Sequence, residues 1–238
     1  MRSLIVFFAM YCSLGPVMSQ SEQEATVFYN KGNTSVRDGD FIQAIEYYTY
    51  SLILNPLAND AFTNRGNCWL ELDYTDKALR DYSSALQLDP YDYRATFKRG
   101  NIYLYYNEYE KAIDDLSRTL EIEPAHDRAF YQRGLAHYSL ENWEEALDDF
   151  QSVLELVPDA KSPVFMIGVI YINMSEYARA IESLNQFINF SPNDGHSYYY
   201  RGIAKHKLEM YEEGCSDLKK AINLGLDYVQ EIYDEYCR

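Results

Sequence analysis

The tripeptide RGN stands at residues 65–67 and again at residues 99–101, and the variants KGN, RGL, IGV and RGI stand at residues 31–33, 133–135, 167–169 and 201–203. The six glycines follow one another at intervals of 34 residues without an insertion. Twelve residues after them come five alanines and Gly214, and a further twelve residues on stand five prolines and Leu226. Three columns in one register indicate tandem repeats of one structural unit.

Each repeat has the pattern of two α-helices. Apolar residues recur at spacings of three and four on both sides of a short polar turn, and in the second repeat residues 73–76 offer an aspartate or a threonine as a helix cap. Proline then ends the second helix, because it has no backbone N–H to donate. One helical hairpin cannot bury its apolar face alone, so neighbouring hairpins must stack. The pattern therefore predicts an all-α array.

The 34-residue period, with its columns of aromatic, glycine, alanine and proline residues, resembles the tetratricopeptide repeat. The resemblance covers residues 25–226 and implies a right-handed α-solenoid of six repeats whose first helices line a concave groove. The predicted repeats are 25–58, 59–92, 93–126, 127–160, 161–194 and 195–226, followed by a capping helix over 227–238.

The basic residue of the motif has a partner in the sequence. Four repeats place an aspartate sixteen residues after the arginine, whereas the first and fifth repeats lack both members and have Lys31 with Tyr47 and Ile167 with Ser183. We interpret the arginines as bridging the two helices of a repeat, rather than as binding a ligand. The predicted pairs are Arg65–Asp81, Arg99–Asp115, Arg133–Asp149 and Arg201–Asp217.

The residue after each glycine turns away from the hairpin core and is predicted to face the groove. Asparagine amides both donate and accept, so they suit a peptide backbone. The arrangement is similar to the carboxylate clamp of chaperone-binding tetratricopeptide domains, since Asn33, Asn64, Arg94 and Lys98 fall at four of its five positions. At the fifth position Tyr29 replaces the first lysine of the clamp, which is therefore incomplete. The alternative is that these side chains only solvate the groove. The candidate peptide-binding residues are Tyr29, Asn33, Asn64, Asn67, Arg94, Lys98, Asn101, Arg128 and Tyr131.

The predicted groove becomes aromatic and aliphatic in its second half. These side chains form either an apolar shelf for a partner segment or part of the packing between repeats. They are Tyr131, Tyr138, Phe165, Met166, Tyr199 and Tyr200.

The N-terminus has the order of a secretory signal: Arg2, an uncharged apolar run over residues 4–14, and the small residue Ser19. We expect residues 1–19 to be removed, which leaves a secreted or periplasmic protein with no integral membrane segment; an uncleaved membrane anchor is the alternative. Export also favours a disulfide between Cys215 and Cys237, which lie ten residues before and twelve residues after a turn at Gly225, so that antiparallel packing can bring them side by side. Cys68 is left over and is expected to be a small packed residue.

Composition and motifs limit the possible functions. The 238 residues carry a formal net charge of -16, and nucleic-acid binding needs a basic surface, so no nucleic-acid partner is expected. The four histidines lack metal-ligand spacing, and no phosphate-binding loop or nucleophile–base motif is present. We therefore predict a non-enzymatic scaffold with no cofactor, metal or small-molecule substrate, which holds a peptide segment of a partner protein. The alternative is a structural subunit or adaptor of a bacterial envelope assembly, bound through its edges or convex face.

Overall fold

The computed structural model of the protein describes residues 19–237, and this range forms thirteen α-helices without a β-strand. The helices fall into two compact units, one ending at Pro90 and the other beginning at Tyr91. Residues 1–18 of the predicted signal lie outside the described residues. Within the described range, no helix is both long enough and apolar enough to span a membrane.

The helices alternate as the sequence predicts. The first unit contains α1 (Gln20–Arg37), α2 (Phe41–Leu54), α3 (Asn59–Glu71) and α4 (Thr75–Leu88). The second unit contains α5 (Tyr93–Tyr105), α6 (Tyr109–Ile122), α7 (Asp127–Ser139), α8 (Trp143–Leu156), α9 (Lys161–Asn173), α10 (Tyr177–Phe190), α11 (Gly195–Lys207), α12 (Tyr211–Asn223) and α13 (Val229–Tyr236). The odd-numbered helices from α1 to α11 are the first helices of repeats one to six, and α2 to α12 are their second helices. Tandem helix-turn-helix units are thereby confirmed.

Each motif glycine makes room for one large side chain of the second helix. A Cβ atom on Gly66 would lie 2.8 Å from the ring of Tyr82, and one on Gly168 would lie 2.8 Å from Leu184. Real Cβ atoms do not approach so closely, so a side chain at these positions would displace the core. The alanine column is fully buried in repeats one to five, as Ala78 illustrates. In the sixth repeat Gly202 faces the backbone of Gly214 directly.

The turn between the two helices of every repeat contains a residue with positive φ, seven positions after the glycine. Only the first repeat places glycine there, at Gly39, and the other five place side chains in this left-handed conformation: Asp73, Asn107, Glu141, Ser175 and Glu209. A backbone bond closes each turn, such as the one from the Asn142 N–H to the His137 carbonyl at 3.0 Å. The predicted aspartate or threonine cap in the second repeat is wrong, because α4 begins after Tyr74 without a side-chain cap.

The repeats of the second unit stack through both helices. Each second helix packs against the first helix that follows it, and successive first helices also touch, α5 against α7 and α9 against α11. The largest buried cluster centres on Phe150 and Ile170, which are fully buried. The first helices therefore share one side of this unit, and their outward side chains form one continuous surface.

Candidate functional site

The predicted groove residues of the first unit form a hydrogen-bonded cluster. Asn64 Nδ2 donates to the Tyr29 hydroxyl at 2.9 Å and to Asn33 Oδ1 at 3.2 Å. The Tyr48 hydroxyl donates to the same Asn33 oxygen at 2.7 Å, and burial raises the pKa of Tyr48, which keeps it a donor. The cluster borders a cleft of about 240 Å³. The structure thus brings Tyr29, Asn33 and Asn64 together, but these side chains partly satisfy one another.

The asparagine after the glycine has a structural partner that sequence reasoning missed. The Tyr82 hydroxyl donates to Asn67 Oδ1 at 2.8 Å, as Tyr48 does to Asn33 in the first repeat. In the third repeat Leu116 takes the tyrosine's place, and the buried Oδ1 of Asn101 has no hydrogen-bond partner among the described residues. Tyrosine fifteen residues after asparagine in the first two repeats was the signal for this pairing.

The four predicted arginine–aspartate pairs are confirmed. Each arginine donates through two nitrogens to both carboxylate oxygens of its aspartate, at 2.7 and 2.8 Å between Arg65 and Asp81 and at 2.6 and 2.7 Å between Arg201 and Asp217. The hydrogen bonds that Arg99 donates to Asp115 raise the pKa of Arg99. The remaining pairs are Arg99–Asp115 and Arg133–Asp149.

Three arginines also reach the preceding repeat, which the sequence analysis did not foresee. Nη1 of Arg65 donates to the Thr49 hydroxyl at 3.1 Å, and Arg133 bonds Ser117 at 3.0 Å in the same way. Arg201 donates to the Asn185 amide oxygen at 2.6 Å. Each of these arginines therefore joins three helices, which strengthens the structural interpretation of this column.

Basic side chains lie at one end of the first-helix surface of the second unit. We call Arg94, Lys98, Arg128 and Lys161 the basic patch; all four are exposed. Nε of Arg94 lies 3.3 Å from the Asp92 carboxylate, which also caps α5. Arg128 and Lys161 border a cleft of about 340 Å³, together with Tyr131. Sequence reasoning missed Lys161, because it lies at the start of α9, one position before the arginines' column.

Aromatic rings continue this surface along α9 and α11. Phe165 lies between Phe187 and Tyr200, with ring centroids 5.1 and 5.8 Å apart, and Tyr199 contacts Tyr200 at 5.0 Å. Burial raises the pKa of Tyr199 and of Tyr200. We call Tyr131, Phe165, Met166 and Tyr200 the aromatic shelf. All four side chains are half-buried. They therefore contribute to the packing between repeats and also keep one side exposed, so both interpretations of the sequence apply.

Charge is separated between the two sets of helices in the second unit. The first helices α5, α7, α9 and α11 contain nine lysines and arginines and one acid, Asp127. The second helices α6, α8, α10 and α12 contain thirteen acids and five basic residues. Arg99, Arg133 and Arg201 pair with second-helix aspartates, and Lys205 lies 2.8 Å from Asp217, which leaves five other basic residues and one acid on the first helices. The first-helix surface is therefore positive in a chain whose formal net charge is -16.

The remaining candidate residues lie near the C-terminus and in the core. Cys215 and Cys237 place their sulfur atoms 1.96 Å apart, and α13 packs over the sixth repeat through the fully buried Val229. Cys68 is buried, and burial raises the pKa of its thiol to about 11, which matches a packed residue. Within residues 19–237, no group of three or more His, Cys, Asp or Glu side chains is placed to hold a metal ion.

Solved structures share this fold. A crystal structure of YrrB, described as a TPR protein with an unusual peptide-binding site, is 23% identical with a TM-score of 0.72, over 79% of this chain and 97% of that chain. The Pseudomonas aeruginosa pilF protein is 18% identical with a TM-score of 0.68, over 91% and 100%. A tetratricopeptide repeat protein from Parabacteroides merdae is 23% identical with a TM-score of 0.54, over the same shares. These likenesses show the fold alone.

Family models identify the repeats directly. No curated protein matches the sequence. Three models described as tetratricopeptide repeat match residues 29–93, 99–163 and 164–194, which together make up more than half of the chain. The chain therefore belongs to the tetratricopeptide repeat proteins.

Proposed function

We propose that the protein is a non-enzymatic scaffold that binds an extended peptide segment of a partner protein along the first-helix surface of its second unit. The charge separation carries this proposal. A positive surface in an acidic protein favours an acidic ligand, and long-range repulsion from the rest of the chain disfavours binding elsewhere. One solved neighbour, YrrB, is itself described as having a peptide-binding site, which supports this class of function.

The two ends of the surface suit two kinds of side chain. The basic patch offers charge-assisted hydrogen bonds to carboxylates, and the aromatic shelf offers flat apolar area to bulky side chains. The patch centre on α7 and the shelf centre on α9 are one helix spacing of roughly 10 Å apart, which about three extended residues span. The ligand is therefore a segment with acidic residues separated by about three positions from aromatic or aliphatic residues.

The incomplete clamp enters this proposal through Arg94 and Lys98, which belong to the basic patch. Tyr29, Asn33 and Asn64 contribute less, because they bond to one another in the first unit. We also propose that the protein acts outside the cytoplasm of a bacterium, secreted or periplasmic, on the strength of the signal-like N-terminal sequence.

Selection of random displayed peptides on the purified protein tests the proposal. We expect enriched peptides to lose affinity at least about tenfold when Lys98→Glu and Arg128→Glu are combined, because two exposed cations become anions. The matched control is Arg118→Glu with Lys219→Glu, two exposed cations on second helices that give the same charge change. Peptides that bind both variants equally would contradict a site on the first-helix surface.

An adaptor that works through its edges is the second candidate, because the outer face of α2 is unusually apolar. Ile42 and Ile53 are 65% and 68% exposed on that face. A partner whose binding is lost on changing these isoleucines, and kept in the Lys98→Glu, Arg128→Glu variant, would favour this alternative.

A further inference from the structure

The outer face of α2 departs from every other second helix of the array. The positions ten, eighteen and twenty-one residues after the glycine are Ile42, Tyr50 and Ile53 in the first repeat, and they are 65%, 53% and 68% exposed. The same positions in the other repeats are polar apart from one alanine. They are Asp76, Ser84 and Gln87, then Glu110, Arg118 and Glu121, then Glu144, Ser152 and Glu155, then Ala178, Gln186 and Asn189, then Glu212, Lys220 and Asn223. We call Ile42, Tyr50 and Ile53 the outer patch.

The helix α1 has the complementary peculiarity. In repeats two, four, five and six, the first helix packs against the preceding second helix, and the residue five positions before the glycine is buried, as Ala61 and Ala129 show at 0% exposure. Its counterpart Val27 is 53% exposed, because no second helix precedes α1 among the described residues. Thr34 is likewise exposed where Cys68 is buried. Among residues 19–237, one flank of α1 therefore lacks the helix that covers the first helices of these four repeats.

The open flank of α1 is continuous with the outer patch. The ring of Phe28 lies 6.3 Å from that of Tyr47 and 5.4 Å from that of Tyr50, and Lys31 Nζ lies 5.2 Å over Phe28. An open groove lined by Val27, Lys31 and Tyr47 follows this flank. The exposed apolar side chains amount to roughly 400 Å², which is within the size range of apolar surface patches that are often functional.

We propose that this surface joins two copies of the protein about a two-fold axis. In such a pair the α2 of each copy covers the open flank of the other copy's α1, in the place that a preceding second helix takes in repeats two, four, five and six. One contact thereby supplies the helix that α1 lacks and buries the apolar face that only α2 carries. Because the same surface serves both copies, the pair is closed and does not grow into a fibre.

Charge supports a second copy as the occupant. The surface carries exposed residues of opposite sign, among them Lys31 on α1 and Glu46 on α2. A two-fold axis sets α1 of each copy against α2 of the other, so each lysine faces a glutamate of the other copy. Two apolar patches of this size with their polar rims reach about 1,200 Å², the lower range of stable interfaces.

Sedimentation equilibrium of the purified protein, from about 1 to 100 µM, tests the proposal. We expect twice the chain mass for the unchanged protein. Ile42→Glu with Ile53→Glu should weaken association at least about a hundredfold, because two apolar anchors become charged. Both side chains are exposed, so the helical circular dichroism should not change. The matched control is Gln186→Glu with Asn189→Glu, which adds the same charge at exposed positions of α10 and should leave association unchanged.

A charge exchange distinguishes a second copy from any other occupant. Lys31→Glu and Glu46→Lys should each weaken association, and the two together should restore it, because a two-fold pair reverses both ends of the contact. A monomer at every concentration would overturn the proposal and leave the surface to residues 1–18 or to another protein. An unchanged dimer in the Ile42→Glu, Ile53→Glu variant, or a double exchange as weak as the single changes, would also overturn it. None of these results affects the proposed peptide site, which lies in the second unit.

Discussion

Replacing Asn101 by leucine should stabilise the protein, whereas the same change at Asn67 should destabilise it. The two residues occupy equivalent positions in adjacent repeats. Asn67 accepts a hydrogen bond from Tyr82, but the Oδ1 of Asn101 is buried beside Leu116 without a partner. The fourth repeat already has leucine at this position, at Leu135, so the fold accommodates it.

The opposite signs follow from the cost of an unsatisfied polar group. A buried acceptor without a donor costs about 1–3 kcal/mol, so its removal should raise the free energy of unfolding by about 1 kcal/mol after some loss to overpacking. At Asn67 the change leaves the hydroxyl of Tyr82, a fully buried residue, without its acceptor and should cost about 1–3 kcal/mol. Tyr82→Phe, which removes the donor instead, should cost about 1 kcal/mol and reproduce the situation of Asn101.

Urea unfolding followed by circular dichroism measures these differences, provided that the slope of the transition is unchanged between variants. Repeat arrays can unfold in steps, so the comparison should use variants with superimposable transition shapes. Destabilisation by Asn101→Leu, or an unchanged midpoint for Asn67→Leu, would refute the assignment of the asparagine column to tyrosine pairing.

Three further predictions concern the repeat framework. Asp149→Ser alone should lower the free energy of unfolding by about 3–5 kcal/mol, because it leaves the guanidinium of Arg133 without its carboxylate. Adding Arg133→Ile, which copies the fifth repeat, should recover most of this free energy. Equal melting temperatures for the single and double variants would contradict the pairing. Mass spectrometry after alkylation in denaturant without reductant should find Cys215 and Cys237 unmodified, and reduction should lower the unfolding free energy by roughly 3 kcal/mol; modification of both thiols would disprove the disulfide. Glu141→Gly should stabilise the fourth repeat by about 0.5–1 kcal/mol in thermal melts, since glycine adopts positive φ without steric cost; a lowered melting temperature would show that the glutamate side chain compensates.

The repeat architecture was readable from the sequence because the same constraint is written six times. A glycine such as Gly66 is required because the ring of Tyr82 lies against it, and the constant repeat length of 34 residues places this glycine at the same position in every repeat. The arginine pairs were also predictable. An arginine and an aspartate sixteen residues later, such as Arg133 and Asp149, are present together in four repeats and absent together in two. Two positions whose residues occur together in some repeats and are both replaced in others can therefore be identified as a contact inside one repeat.

The candidate site was harder to predict, because its residues do not recur. Lys161 reaches the cleft beside Arg128 from the next repeat, and no column relates the two residues. The asparagines were predicted to bind a ligand because their tyrosine partners, such as Tyr82, lie on the second helix, and the sequence analysis did not pair the two columns. The left-handed conformation of turn residues such as Glu141 was not predicted. The backbone of the turn imposes this conformation, and the residue type at the position differs between repeats.

The arginine bridges also limit how such a chain can change its length. Every bond made by Arg65, Arg133 or Arg201 reaches sixteen residues forward or back, which is less than one repeat. Excision or duplication of 34 residues therefore leaves each arginine with its own aspartate, and it needs only a polar side chain from its new predecessor. The second helices of repeats one to five have a hydrogen-bond acceptor at that position, whereas the sixth has Lys219, so the first five repeats are the exchangeable parts. We expect relatives of this chain to differ in repeat number more readily than in repeat length.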